Sequence, residues 1–327
     1  MLKLKLHVSL AVAGLLLVAV PSISAQKQTM KASTNFKTST APALQALVDA
    51  AAQAALKRFA DKGLKPEQLS ITLIDLRDPE RLKQASYRGN ERIYPASVVK
   101  LFYLAAAQRW MEDGKLKETE ELKRGLKDMI VVSSNDATGY VLDVLTGTSS
   151  GGELPPAEMK AWLNERNAVN RYFTALGYTN INTNQKTFCE DAYGREHYSR
   201  GPNGENRNKL TTDATARLLT EIALRRAVTP ARSDQMLGLL KRDYAGQSAD
   251  ADDQAHGFTA LAFKPGEGAR LWSKAGWTST TRHDAAYVEL PNGARFVLVI
   301  FTTDHANERD IIPSVARVVL DAMEKQQ

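Results

Sequence analysis

The sequence predicts an α+β fold, an antiparallel sheet flanked by terminal helices plus an inserted all-helical lobe. Three observations carry that expectation. Near the C-terminus three β-rich runs follow one another, Arg270 to Trp277, Ala285 to Leu290 and Arg295 to Thr302. The last two are joined by Pro291-Asn292-Gly293, a tight-turn tripeptide, which makes them antiparallel neighbours. Apolar residues at helical spacing stand before the first strand and again after the last, while the stretch from Val98 to about Leu240 reads as mainly helical.

The N-terminus reads as a targeting segment. Lys3 and Lys5 form a positive n-region, Leu10 to Val20 an apolar stretch, and Pro21 leads into the small residues Ser22, Ser24 and Ala25. That order matches a secretory signal peptide over residues 1–25, cut after Ser24 or Ala25. The apolar stretch is shorter than the roughly 20 residues a spanning helix needs, so no stable membrane anchor is expected after cleavage. Residues 26–41 are Ser/Thr/Lys-rich and aperiodic, a flexible lead-in.

Residues 42–327 are then expected to form one catalytic domain of two lobes, an α/β lobe (42–96 and 260–327) and a helical lobe (97–259). Pro42 suits a first helical turn, and Leu44, Leu47, Val48, Ala51, Ala55, Leu56 and Phe59 recur at helical spacing before Gly63. Leu69, Ile71 and Leu73 alternate with Ser70 and Thr72 in a strand that ends near Asp75. A polar interruption at 179–209, rich in Asn and Gly, breaks the helical stretch. The last helix carries Ile311, Ile312, Val315, Val318, Val319 and Ala322 on one face.

Composition narrows the function. The 327 residues carry 43% hydrophobic and 24% charged side chains, which excludes a disordered chain or a disulfide-stapled miniprotein. The net charge of +6 loses two units with Lys3 and Lys5, and no basic run exceeds the pairs Lys57-Arg58 and Arg225-Arg226. Nucleic-acid binding is therefore not expected. The single cysteine, Cys189, excludes a disulfide framework and a Cys-rich metal site. The histidines show no metal spacing, so neither metal nor cofactor is expected.

Four sequence elements invite a chemical reading. Ser97-Val98-Val99-Lys100 places a hydroxyl and an amine on one helix face, where a buried lysine that sheds its proton activates the serine. As a motif it is weak, since Ser24-Ala25-Gln26-Lys27 repeats it without meaning, and taken alone it is better explained as a Ser N-cap followed by a solvated lysine. Ser133-Ser134-Asn135 follows the apolar run Met129 to Val132 and offers a hydroxyl and an amide, or else a capping loop. Lys274-Ala275-Gly276-Trp277 lies on an expected strand with Arg282 after it; the plain alternative is a strand with an exposed lysine. Gly147-Thr148-Ser149-Ser150-Gly151 matches the G-x-S-x-G nucleophile elbow, but a helical segment precedes it, so a loop is expected. His283 is near enough to Arg282 to line a site and equally suited to a structural role.

The order S-x-x-K, S-x-N, K-x-G resembles the penicillin-recognising serine hydrolases, and within them the class A β-lactamases, over roughly residues 42–325. The resemblance implies Ser97 as acylated nucleophile and Lys100 as its activator. Ser133 would pass a proton to the leaving nitrogen and Asn135 would bind the substrate amide. Lys274 would give electrostatic support, and Arg282 would pair with a substrate carboxylate. Gly276 would let substrate lie along the strand, and the N–H groups of Ser97 and Trp277 would form the oxyanion hole. Several departures weigh against a simple transfer. Ala275 stands where the family has Thr or Ser, and Ser134 where it has Asp. The Ser97–Ser133 interval is short and the Ser133–Thr211 interval long. No E-x-x-L-N motif occurs, and Glu190 is the best-placed carboxylate for activating the deacylating water.

The expectation is thus an exported serine hydrolase, periplasmic or secreted, that acts through an acyl-enzyme and works as a monomer. Its expected partner is a small-molecule β-lactam or a peptidoglycan-peptide-like substrate. A D-alanyl-D-alanine peptidase, an esterase, or a poorly catalytic penicillin-binding protein are the alternatives.

Overall fold

A computed structural model describes residues 36–189, 191–246 and 248–325. The expected signal peptide and Glu190 lie outside these described residues.

The chain opens with a two-residue strand β1 (Ser39–Thr40) and helix α1 (Pro42–Arg58), followed by strands β2 (Leu69–Asp75) and β3 (Lys83–Tyr87). Eight helices come next: α2 (Lys100–Glu112), α3 (Glu120–Val131), α4 (Asn135–Thr146), α5 (Pro156–Arg166), α6 (Ala168–Ala175), α7 (Gly194–Arg200), α8 (Thr212–Ala223) and α9 (Pro230–Leu240). Strands β4 (Lys241–Arg242), β5 (Arg270–Trp277), β6 (Thr281–Glu289) and β7 (Arg295–Thr303) lead into the final helix α10 (Ile311–Lys325). The sheet order is β1-β3-β2-β7-β6-β5-β4.

The α+β expectation holds, with one correction to the sheet. It is not wholly antiparallel, because β1 runs parallel to β3. The sequence pattern also passes over β3, and the reason is physical. Its residues Lys83-Gln84-Ala85-Ser86-Tyr87 bury little, so no apolar alternation marks them. In contrast β2 is buried at all seven positions.

Two cores sandwich the sheet, and strand alternation sorts side chains between them. Leu69, Ile71 and Leu73 of β2 face α1 and α10, in a core with Val48, Ala51, Val315 and Val319. Ile74 joins the other core, where Phe102, Leu104, Met129 and Leu142 of the helices pack on Val299 and Phe301 of β7. Each fully buried aliphatic side chain contributes about 1.5–3 kcal/mol, so both faces bind their helices firmly. Thr72, also facing the helices, bonds Thr212 Oγ1 at 2.8 Å and Asp213 Oδ1 at 2.7 Å, which ties α8 to the sheet. The G-x-S-x-G match falls in a loop after α4, with Gly147 in the left-handed region as the helix C-cap.

Candidate active site

The Ser97 turn is built where the chain leaves the β3 side of the sheet and enters α2. Ala96–Val99 form a single 3₁₀ turn, and Ala96 has φ 45°, a left-handed value that a non-glycine residue adopts at a cost. Burial of Ala96, Val98 and Val99 holds the turn in place. Strand β5 presses against it. A Cβ on Gly276 would lie 2.7 Å from Pro95 O, 2.8 Å from Ser97 N and 2.9 Å from Val98 N, so only glycine fits this crossing.

Lys100 is fully buried at the start of α2. Its Nζ donates to Ser133 O at 2.6 Å, Ser133 Oγ at 3.1 Å and Asn135 Oδ1 at 2.9 Å. The amine therefore spends its donors on the S-x-N element, not on Ser97 as helical spacing suggests, because three converging acceptors satisfy it there. Burial lowers its pKa to about 7, and the nearby Cys189 sulfur acts in the opposite direction.

Ser133 has φ 58°, and this left-handed residue turns the chain from α3 into α4. Ser134 caps α4 by accepting from Ala137 N at 3.1 Å, which leaves Ser133 and Asn135 aimed at Lys100. The Ser133 hydroxyl also accepts from Lys274 Nζ at 3.0 Å, so two buried lysines meet on one oxygen. Burial, then the charges of Lys100 and Arg242, push Lys274 well below the ordinary lysine range. Asn135 Nδ2 completes the row with a contact to Cys189 Sγ at 3.4 Å.

Trp277 continues β5 past Gly276. Ala275 N donates to Gln254 Oε1 at 3.2 Å and Thr278 N to Thr281 O at 2.9 Å, so Ala275 N–H points away from β6. Antiparallel alternation then turns the Trp277 N–H outward along the same edge.

Two side chains that the motifs do not mark hold the halves together. Gln254 donates to Ile130 O at 3.2 Å and Val131 O at 3.0 Å, at the end of α3, and its Oε1 accepts from Lys274 Nζ and Ala275 N. Arg242 spans the same seam, reaching Ser273 O at 2.8 Å and Ile130 O at 3.2 Å; burial lowers its pKa to about 10. Gln254 follows a run of Asp and Ala that carries no motif, so its role has no sequence signal. Replacing Gln254 with Leu is expected to cost roughly 1–3 kcal/mol in denaturant unfolding, the penalty for stranding buried carbonyls and a lysine. A loss below about 0.5 kcal/mol would mean that the clasp contributes nothing.

Arg282 is held by protein groups. It is buried, donates to Asp252 Oδ1 at 2.6 Å and Ala251 O at 3.2 Å, and lies over the Phe258 ring at 3.8 Å. The acid at 252 pairs with the guanidinium, so a substrate carboxylate would have to compete with it. His283 is structural: Thr302 N donates to its Nδ1 at 3.1 Å, which leaves Nε2 to donate to Tyr94 O at 2.9 Å. Burial lowers its pKa to about 4, so it stays neutral while anchoring the Ser97 turn to β6 and β7. Among the described residues no His/Cys/Asp/Glu group is placed to hold a metal ion, and no helix is long and apolar enough to cross a membrane.

A family model described as the beta-lactamase enzyme family matches residues 51–323. The chain belongs to that family. Membership makes it a serine hydrolase of the beta-lactamase type. The fold is similar to that of solved beta-lactamase-family structures. A beta-lactamase from Sphaerobacter thermophilus DSM 20745 aligns at TM-score 0.62 and 19% identity, covering 85% of this chain and 97% of that one. A mutant of PBP-A, solved as an acyl-enzyme complex with penicillin G, aligns at TM-score 0.61 and 18% identity, covering 86% and 97%. A variant of the last common ancestor of Gram-negative bacteria beta-lactamase class A gives 0.57 and 21%, covering 86% and 100%. A search of curated proteins finds no match.

Proposed function

We propose that Ser97 is the acylated nucleophile of an exported enzyme, periplasmic or secreted, that hydrolyses β-lactams. The observation that carries this reading is the Ser133 hydroxyl held by both Lys100 and Lys274, beside a Ser97 turn against which Gly276 is packed. The Ser97 Oγ–H proton passes to the neutral amine of Lys100, directly or through Ser133, as Oγ attacks the carbonyl carbon. Negative charge on the carbonyl oxygen is met by the N–H groups of Ser97 and Trp277. As the C–N bond breaks, the Ser133 hydroxyl gives its proton to the leaving nitrogen and is reprotonated from the lysine that took the first one. Asn135 holds the substrate amide and Lys274 supplies positive charge. Water then adds to the ester, its proton accepted by a base for which Glu190 is the sequence candidate, and as the Oγ–C bond breaks that proton passes to Oγ, which releases the acid and restores Ser97.

A second reading, a peptidase or penicillin-binding protein that releases its acyl group slowly, is favoured by one contact. The side chain against Asn135 Nδ2 is the Cys189 thiol, which is no carboxylate. Mass spectrometry of the protein mixed with a penicillin separates the two. Rapid loss of the penicillin without a lasting adduct supports the β-lactamase, and a stable adduct on Ser97 supports the slow enzyme. Absence of both turnover and adduct, with activated esters as well, overturns the acyl-enzyme reading. In the same assay Glu190→Gln is expected to prolong the adduct; unchanged turnover would assign water activation to another group.

A further inference from the structure

Beside the Ser97 turn, a short antiparallel pair stands apart from the main sheet. Ile93 and Leu210 exchange backbone hydrogen bonds at 2.8 and 2.9 Å. Side chains alternate across such a pair, and residues directly opposite share a face. Ile93, Asn208 and Leu210 accordingly turn inward and are buried. Tyr94, Arg207, Lys209 and Arg92 are left on the other face, where Arg92 and Arg207 are exposed. The Arg207 guanidinium lies over the Tyr94 ring at 4.1 Å, as that geometry requires.

Three cations therefore share one face, and one of them, Arg207, covers the Tyr94 ring. Burial, then the charges of Arg207 and Arg92, lower the proton affinity of Lys209, which shows that the three sense one another. Among the described residues no carboxylate lies within ion-pair distance of Arg92, Arg207 or Lys209. Arg200, which lines the same small cleft with Tyr94, Phe188 and Arg207, is by contrast paired with Asp191 at 2.5 Å. Like charges held together without a counter-ion are unfavourable until an anion joins them.

The position of the face gives this charge a purpose. Tyr94 is three residues before Ser97, and its carbonyl is fixed by His283. Phe188, on the far wall, immediately precedes Cys189, whose sulfur meets Asn135. The cleft thus adjoins the row of side chains around Lys100. On the β5 side the nearby cation, Arg282, is already paired with Asp252.

We infer that the face formed by Tyr94, Arg207, Lys209 and Arg92 is an anion-binding subsite that takes a carboxylate carried on the acyl side group of the substrate. The assignment rests on the proposed Ser97 reaction for its function, although the subsite is testable by binding alone. Arg207, pre-oriented by stacking, offers a planar fork for two parallel N–H···O bonds, while Tyr94 and Phe188 supply apolar walls for the rest of the group.

The test compares benzylpenicillin with its α-carboxy analogue, which differ by one carboxylate. Binding to the Ser97→Ala protein, read by calorimetry, is expected to favour the carboxylated compound about tenfold at low salt, the scale of one charge-assisted hydrogen bond. Because the face is exposed, the preference should shrink between roughly 0.02 and 0.3 M salt. In Arg207→Ala on the same background it should fall to within about twofold of unity, and Lys209→Gln should reduce it part-way. Equal affinity for the two compounds, including none for either, overturns the proposal, as does a preference that survives Arg207→Ala. The salt series on the Ser97→Ala protein decides the matter even if the Arg207 variant folds poorly. Failure of the Ser97 reaction shows separately, as the absence of adduct and turnover in the unsubstituted protein.

Discussion

Replacing Lys100 with methionine is expected to slow acylation of Ser97 by about 10²–10⁴-fold, the range assigned to a positioned general base. The side chain is similar in length and apolar, so the change removes the base while filling its space. It also strands Ser133 O and Asn135 Oδ1, which now accept from the amine. The pH profile separates these effects. With a pKa of about 7, Lys100 is neutral and able to take a proton only above that value. Acylation by the unsubstituted protein should therefore rise through about pH 7, and the limb should vanish in Lys100→Met. A variant that keeps the limb, or loses less than about tenfold in rate, would remove Lys100 from the base role.

The same burial has a consequence for stability, with a definite sign. Between about 7 and the ordinary lysine value of 10.5, the amine is neutral when folded and charged when unfolded. The unfolded chain then binds more protons, so this group makes stability rise with pH across that window. Below about 7 both states are charged and the full cost of burial applies. Lys100→Met should accordingly gain stability relative to the parent at pH 6 more than at pH 9, as read by denaturant unfolding.

Gly276→Val is expected to cost about 10²-fold in kcat/KM, the loss that accompanies a misplacement of about 1 Å at the reacting centre. Every atom that the new Cβ would meet belongs to the backbone of Pro95, Ser97 or Val98, none of which swings aside as a side-chain tip does. Strand β5 and the Ser97 turn must separate, which carries Trp277 N–H away from the Ser97 N–H. Overpacking of this kind also destabilises by about 1–3 kcal/mol. Gly276→Ala should show the same effect in smaller measure. Turnover of a chromogenic cephalosporin alongside thermal melting measures both. Rates within about threefold of the parent for both variants would mean that the crossing is loose.

Legibility varied along the chain with how strongly each segment is buried. Strand β2 shows its alternation because Leu69, Ile71 and Leu73 enter one core while Thr72 and Ile74 face the other. Strand β3, flanked on one side only by the two-residue β1, buries little and leaves no such trace. Site residues follow a different logic. Ser97, Lys100, Ser133, Asn135, Lys274 and Gly276 stand in short motifs because the members of each pair lie two or three residues apart in one continuous segment. Gln254 and Arg242 act through contacts more than 100 residues away in sequence, to Ile130 and Val131, and no local pattern encodes such a partner.

By itself, the sequence determined the α+β layering, the central and C-terminal strands, the terminal helices and the order of the three motifs, because periodicity and spacing are local properties of the chain. Only the tertiary structure decided what each motif touches. It turned Lys100 toward Ser133 and Asn135, paired Arg282 with Asp252, gave His283 to the Tyr94 carbonyl, and gathered Arg92, Arg207 and Lys209 on one face. Those outcomes depend on which distant acceptor or charge comes within hydrogen-bonding reach after folding, roughly 2.7–3.2 Å, because the bond weakens steeply outside that range and off its axis.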